Sequence, residues 1–295
     1  ARVFVNRVWH HCFGAGLAPT LGDLGALGER PSHPELLDWL AGEFVSGGWS
    51  VKALHKLILT SMAYRQGSIH AAAQTADPDN RLLGRMRLRR RDAEGLRDGM
   101  LAVSGRLHTS MYGQPVPVAV NAHGQVVVGK QAKNGNGDPT GTDALGSDEF
   151  RRSIYVQVRR SAPVGVMETF DSAAINPNCE VRAVSTVPLQ SLMLMNDQFV
   201  LDRAQDIAER LRRERPGDAS GQVARLWVLL FAAEPTSTEL QRSLAFLVEQ
   251  TETLRSSASL AKEKNAKAPP ADPSLQALAS LCQTLLQSNR FLYVD

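Results

Sequence analysis

The chain has 295 residues, of which 43% are hydrophobic, with 33 Lys and Arg against 30 Asp and Glu for a formal charge of +3. That hydrophobic share builds a substantial core and excludes global disorder, and so small a cationic surplus excludes polyanion binding over the whole surface. Any basic site must be local, and nucleic acid is not an expected partner. The three cysteines, Cys12, Cys179 and Cys282, are too far apart for a paired metal-ligand motif or the disulfide framework of a small secreted domain. No apolar run approaches the roughly 20 residues needed to span a bilayer, so no transmembrane segment is expected. The strongest run, Leu226 to Ala233, reads as a buried helix segment. The opening Ala1-Arg2-Val3-Phe4-Val5 lacks an initiator Met and reads as the inside of a helix, which predicts a fragment of a longer protein.

Ser32-His33-Pro34-Glu35 predicts a helix start, with Ser32 as cap, Glu35 returning the bond and Pro34 in the first turn. Leu36, Leu37, Leu40 and Phe44 then share one face. Gly47-Gly48 ends that helix, and Ser50 opens a second with Leu54, Leu57, Ile58 and Met62 inward, so the pair reads as a helical hairpin. After the turn Asp77-Pro78-Asp79-Asn80, the spacing of Leu82, Leu88, Leu96, Met100, Leu101 and Val103 predicts a charged helix over 81–106. Pro115 to Val128 is rich in Val, and Arg152 to Val158 alternates as a half-buried strand does, which predicts one small antiparallel β element. The Gly, Asn and Asp content of Gly129 to Ser147 between them predicts an exposed mobile loop.

Helical signals return at Ser185-Thr186-Val187-Pro188 and run on from Phe199 to Arg213. Thr236-Ser237-Thr238-Glu239 is a capping box opening a further helix, Ala258 to Asp272 resembles a solvated linker, and Leu275 to Leu286 is a last amphipathic helix. The expected fold is mainly α, a multi-helix bundle-like arrangement with one small β element and long loops. It spans 1–295 as one domain, with a helical part over 1–110, a β insertion over 111–160 and a second helical part over 161–295.

Haem-attachment, zinc-protease, phosphate-loop and serine-elbow motifs are missing, so no cofactor or metal is expected on this chain. His10-His11-Cys12 offers ligand atoms, but neighbours on a helix point about a hundred degrees apart, which favours a structural role. His33 and Glu35 are better explained by capping than by acid-base work. Arg85, Arg87, Arg89, Arg90 and Arg91, followed by Asp92, Glu94 and Asp98, read first as a solvated, salt-bridged helix. Arg159 and Arg160, at the end of the alternating segment, suit bidentate contacts to carboxylate or phosphate. The densest polar island is Phe170-Asp171 with Cys179, Arg182, Ser185, Thr186 and Gln190, which leads into a helix N-terminus. Arg159, Arg160, Asp171, Arg182, Ser185, Thr186 and Gln190 are therefore the expected anion- or partner-binding residues. The competing account is a buried hydrogen-bond network bracing a long loop.

The ordered blocks NRVWHHCFGAGL, HPELLDWLAGEF, GWSVKALHKLILTSMAYRQ, DPDNRLL, RRSIYV, STVPLQSLMLMN and LCQTLLQSNRFLYVD run from Asn6 to Asp295. Through them the chain resembles the planctomycete cytochrome-c-associated domain of unknown function found at the C-terminal end of large multidomain proteins. The resemblance implies an exported protein of the periplasm or cell envelope. Its partners would be other domains of the same polypeptide, including cytochrome c-like domains that carry haem c upstream. No catalytic residues are established for that family, so none carry over. Two functions stay open: a helical binding or docking module, and an enzyme of unrecognised type acting on polysaccharide or another anionic substrate.

Overall fold

Thirteen helices and three two-stranded antiparallel sheets account for most regular structure among the described residues, so the mainly α expectation holds. This computed structural model describes residues 1–134, 139–159, 161–173, 181–182, 184–262 and 272–294. In chain order the first elements are α1 (Arg2–Phe13), α2 (Pro34–Ser46), α3 (Val51–Leu59), α4 (Met62–Arg65), α5 (Ala71–Ala76), β1 (Arg89–Arg90) and α6 (Ala93–Ser104). Four short strands follow: β2 (Val118–Val120), β3 (Val126–Val128), β4 (Lys130–Lys133) and β5 (Pro139–Asp143). The remainder is α7 (Gly165–Thr169), α8 (Pro188–Asn196), α9 (Gln198–Glu214), α10 (Ala219–Phe231), α11 (Ser237–Lys262), α12 (Pro273–Leu286), α13 (Asn289–Leu292) and β6 (Tyr293–Val294). The described residues divide into two compact units, the first built on 1–90 with 181–182 and 293–294, the second on 91–173 and 184–292.

In the first unit, Val5, Val8, Trp9, Cys12 and Phe13 fall three or four apart along α1 and pack with Leu37, Leu40 and Phe44 of α2 and Leu54 and Ile58 of α3. Gly14 ends α1 at φ 79, and an added Cβ there would lie 2.6 Å from Cδ of Arg89. Glycine is thus required both by the left-handed exit and by the arginine, whose Nη1 donates to the His11 carbonyl at 2.7 Å. Gly48 and Trp49, at φ 67 and 60, turn the chain out of α2, and the Trp49 ring meets Phe44 edge-on at 5.1 Å. Ser50 caps α3 through the Ala53 N–H, as its sequence position predicts. Ser32 does not cap α2. His33 holds the cap position without a side-chain bond, and the Ser32 hydroxyl donates instead to the Leu17 carbonyl at 3.3 Å, tying down the preceding loop.

The charged segment begins its helix later than the leucine spacing suggests. Asn80, 2% exposed, takes the Arg85 N–H on its Oδ1 and gives its Nδ2 hydrogen to the Arg85 carbonyl, which closes residues 80–85 into a turn. Beyond it the chain is extended as β1, paired antiparallel with β6 through Arg89↔Val294 and Arg90↔Tyr293. Helix α6 starts only where Asp92 accepts the Gly95 N–H at 2.8 Å.

In the second unit the core joins Leu96 and Met100 of α6, Ile207 and Leu211 of α9, Leu226 and Leu230 of α10, and Leu281, Cys282 and Leu286 of α12. Of the apolar run expected as a buried helix segment, Leu226, Trp227 and Leu230 are buried at the end of α10, which stops at Phe231. β2 pairs antiparallel with β3, Val118 opposite Val128, and a small cluster of Val118, Val156, Val164 and Val166 covers this pair. The stretch expected as a mobile loop carries β4 and β5 in register, Lys130↔Asp143 and Gln131↔Thr142, on either side of 135–138, which lie outside the described residues. Residues 152–158 are not a strand. Ser153–Tyr155 form a 3-10 turn, and only Val156 bridges to Val116, because α6 side chains capture the backbone at 151–153. Thr236 and Glu239 form the expected reciprocal box, Glu239 N to Thr236 Oγ1 at 3.3 Å and Thr236 N to Glu239 Oε2 at 2.8 Å. Helix α11 runs to Lys262, into the stretch expected as linker, of which 263–271 lie outside the described residues.

Asp272 starts α12 by accepting the Ser274 N–H at 2.9 Å and pairs with Arg212 of α9 at 2.6 Å. The Ser274 hydroxyl, then Arg212 and the Ser274 N–H, draw its carboxyl down to about 2. A depressed carboxyl contributes stability above its ordinary range and loses it as pH falls through the folded value. Asp272→Ala is expected to cost about 1 kcal/mol at neutral pH and to reduce the stability loss that the native protein shows between about pH 4 and about pH 2. Urea unfolding at a series of pH values checks both; an unchanged acid limb would remove Asp272 from the account.

Candidate functional site

Three of the polar residues singled out in the sequence meet where α7 ends and α8 begins. Phe170, fully buried, anchors the exit of α7, and Asp171 follows in the left-handed region at φ 59. That conformation, which Asp tolerates better than most residues, turns its carboxylate toward the segment just before α8. Oδ2 accepts the Ser185 N–H at 2.8 Å, and the Ser185 hydroxyl lies 2.9 Å from Oδ1. Gln190, buried one turn into α8, donates Nε2 to the Thr169 carbonyl at 3.0 Å and to the Ser185 carbonyl at 3.2 Å. The group is a brace between α7 and α8.

Ser185 and Thr186 precede α8 without capping it. Val187 holds the cap position with no side-chain bond, Pro188 opens the helix, and Thr186 is exposed. Arg159 belongs to the same unit, is exposed, and its Nε donates to Gln157 Oε1 at 3.3 Å. Arg182 is exposed and belongs to the first unit. Arg160 and Cys179 lie outside the described residues.

Helix α8 is tied at its other end as well. Gln283 of α12 donates Nε2 to the carbonyls of Leu194 and Met195 at 3.2 and 2.8 Å, and Gln287 donates to Leu194 at 3.1 Å. Asp197 then starts α9 through the Phe199 N–H at 2.9 Å, its carboxyl pushed up by burial. With Gln190 and Leu194 turned inward, Leu189, Leu192 and Met195 fall three apart along the outer side. They are 61%, 55% and 54% exposed, and Val184 just before the helix is 67% exposed. In the sequence this run is marked only by its helical signals and by the family resemblance. The signal of its outer face was an apolar excess: Leu189, Leu192, Met193, Leu194 and Met195 are more than one buried face can absorb.

The buried and half-buried arginines of α6, α9 and the segments between them serve the fold. Arg97, 2% exposed, donates Nη1 to the Arg151 carbonyl at 2.9 Å and Nη2 to the Glu149 carbonyl at 2.7 Å, while Asp98 accepts both the N–H and the hydroxyl of Ser153 at 2.7 Å. Burial draws the Arg97 guanidinium down to about 10 against the opposing pull of Asp98. Arg203 and Asp206 pair at 2.8 Å within α9, and Arg106 reaches the same carboxylate. Arg151 donates to the Gln114 carbonyl at 3.0 Å and lies over the Tyr155 ring.

His10, His11 and Cys12 separate on α1 as expected, with Cys12 buried and His11 exposed. Burial raises the Cys12 thiol and, with His11 and Arg89, lowers His10, so neither is a charged ligand or an activated nucleophile at neutral pH. Among the described residues no group of three His, Cys, Asp or Glu is arranged to hold a metal ion.

The family model described as "PSD1: Protein of unknown function (DUF1553)" matches residues 1–247. The chain belongs to this family. No curated protein and no solved structure matches it. The DUF1553 match contains the brace, all of α8 and the whole arginine segment before α6, whereas α12, which supplies Gln283 and Gln287, lies beyond it.

Asp171→Ala leaves the Ser185 N–H and hydroxyl without their acceptor and puts alanine at a positive φ, so it is expected to cost about 1–3 kcal/mol. Asp171→Asn keeps one acceptor oxygen and tolerates that φ, and is expected to recover more than half of the loss. Urea midpoints for the two variants decide the point; wild-type behaviour in Asp171→Ala would mean the brace carries no stability.

Proposed function

We propose that this DUF1553 chain is a docking module, and that the outward stripe of α8, led by Val184, receives another domain of the same polypeptide. The observation that carries the reading is an apolar stripe on a helix fixed at both ends. Ordinary surface helices turn their apolar side inward, and a contiguous exposed apolar patch marks an interaction site. Because glutamine side chains already hold the backbone of α8, little ordering entropy is left for a partner to oppose. Arg159, exposed in the same unit, is assigned contacts to an anionic group of that partner.

The displaced ionisable groups favour a module over an enzyme. Arg97, Asp197 and Asp272 are each engaged in capping a helix or pairing elements together, and Arg203 is paired with Asp206 within α9. The resemblance carried by the sequence blocks supplies the setting: an exported planctomycete protein of the periplasm or cell envelope, whose cytochrome c-like domains bear haem c upstream. In this reading the present chain holds no cofactor and positions those that do.

The test mixes this chain with the separately produced upstream part of the polypeptide and follows binding by calorimetry. Leu189→Glu with Leu192→Glu is expected to weaken association at least about ten-fold, while the unfolding free energy stays within about 0.5 kcal/mol because both side chains face solvent. Association unchanged by the pair, or no association in the unsubstituted chain, would retire α8 as the docking face.

A further inference from the structure

Away from α8, the first unit carries a cleft of about 420 Å³ whose lining includes Arg81, Arg85, Arg87, Glu29 and Asp79. Its construction differs from that of a solvated basic face. The turn at 77–80 fixes two of the three guanidinium groups through backbone carbonyls: Arg85 Nη2 donates to Pro78 at 2.8 Å, and Arg87 Nη2 donates to Asp79 at 2.5 Å. Asn80, itself buried, holds the backbone of Arg85 at both its N–H and its carbonyl. Arg85 and Arg87 are therefore placed before any ligand arrives, which lowers the entropy cost of binding.

Each arginine keeps donors in hand. Among the described residues those carbonyl contacts are the sole side-chain hydrogen bonds of Arg85 and Arg87, and Arg81 makes none. Arg85 Nε is enclosed, so it is Nη1 that remains for the cleft. The nearby carboxylate of Asp77 is already occupied. It accepts the Leu82 N–H at 2.6 Å and is held below the usual carboxylate range by that bond, by the Arg81 N–H, and by the charges of Arg85 and Arg81. Glu29 and Asp79 are the acids on the lining, two against three guanidinium groups.

We propose that this cleft binds a tetrahedral oxyanion, a phosphate or sulfate group carried on a small ligand. One guanidinium fork matches the two oxygens of a carboxylate, whereas donors from three guanidinium groups around one cavity match an anion with three or more oxygens to share. The volume leaves room for the group that bears the anion. The site is independent of the α8 stripe, which belongs to the other unit.

Calorimetric titration of the whole chain with inorganic phosphate, inorganic sulfate and acetate, at matched ionic strength, tests the assignment. Saturable binding of phosphate or sulfate is expected, weaker by about ten-fold or more in Arg81→Gln and in Arg87→Gln, and weakened in every case by added chloride. Arg81→Gln removes no hydrogen bond among the described residues, so it tests the charge without testing the fold. Glu29→Gln is expected to tighten binding, since it removes an acid from the lining. The preferred anion distinguishes a phosphate-bearing from a sulfate-bearing ligand. Absence of saturable binding by the unsubstituted chain, equal binding of acetate, or affinity unchanged in Arg81→Gln and Arg87→Gln would overturn the proposal.

Discussion

A side-chain amide that grips both the N–H and the carbonyl of a single distant residue is the contact on which the irregular parts of this chain depend. It occurs three times among the described residues. Asn6 holds Ala18 with two bonds of 2.9 Å, Asn80 holds Arg85 at 3.3 and 2.7 Å, and Gln131 holds Val120 at 3.0 and 3.2 Å. Each pair reproduces the hydrogen bonding of a strand partner at one position: at Ala18 and Arg85 it satisfies segments outside any ladder, and at Val120 it ties β4 to β2. An amide suits this task because it presents one donor group and one acceptor group without charge, and its burial carries none of the ion desolvation cost that a carboxylate or guanidinium would incur. The loop after α1, the turn before β1 and the hairpin of β4 and β5 are all set in this way.

Where a charged side chain does enter the interior, it is surrounded by acceptors. Arg97 meets two backbone carbonyls and the Ser153 hydroxyl, and the neighbouring Asp98 takes the remaining donors of Ser153. The desolvation of the guanidinium is offset by these bonds, and removing any one acceptor would leave a buried donor unpaired. The geometry also bends the backbone: Arg97 holds the carbonyls at 149 and 151, and Asp98 holds the Ser153 N–H. That is why the alternating residues 152–158 curl into a 3-10 turn instead of extending beside β2.

The limit of sequence reading follows from the same contacts. Caps and helix exits were legible because their chemistry is local: Ser50, the Thr236–Glu239 box and Gly47-Gly48 each act within a turn of their own position. Leu82 and Leu88 fit a helical period and yet are exposed, because the period carries no information about Asn80 folding back on Arg85. Ser32 was misread for a related reason, since its hydroxyl is drawn to a carbonyl fifteen positions away. In the candidate site, Asp171, Ser185 and Gln190 were legible as a polar island, and the structure joins them. The outward face of α8 was not, because composition alone leaves open which of five apolar residues the core will take.

Neutral amides in the structural role leave charge available elsewhere. In the first unit, Asp77 takes the Leu82 N–H at the turn, while the Asn80 amide and the carbonyls of Pro78 and Asp79 set Arg85 and Arg87, so those two guanidinium groups are oriented through uncharged acceptors. In the second unit, Gln190, Gln283 and Gln287 secure α8 through its flanking and terminal carbonyls, so no charged side chain has to cross the helix and interrupt its apolar outer stripe. Had either segment been pinned by salt bridges, its surface would have been partly discharged or made polar by the pinning itself. Separating the groups that hold the backbone from the groups that face outward is what allows a chain with a formal charge of only +3 to present a concentrated cationic cleft on one unit and a fixed apolar face on the other.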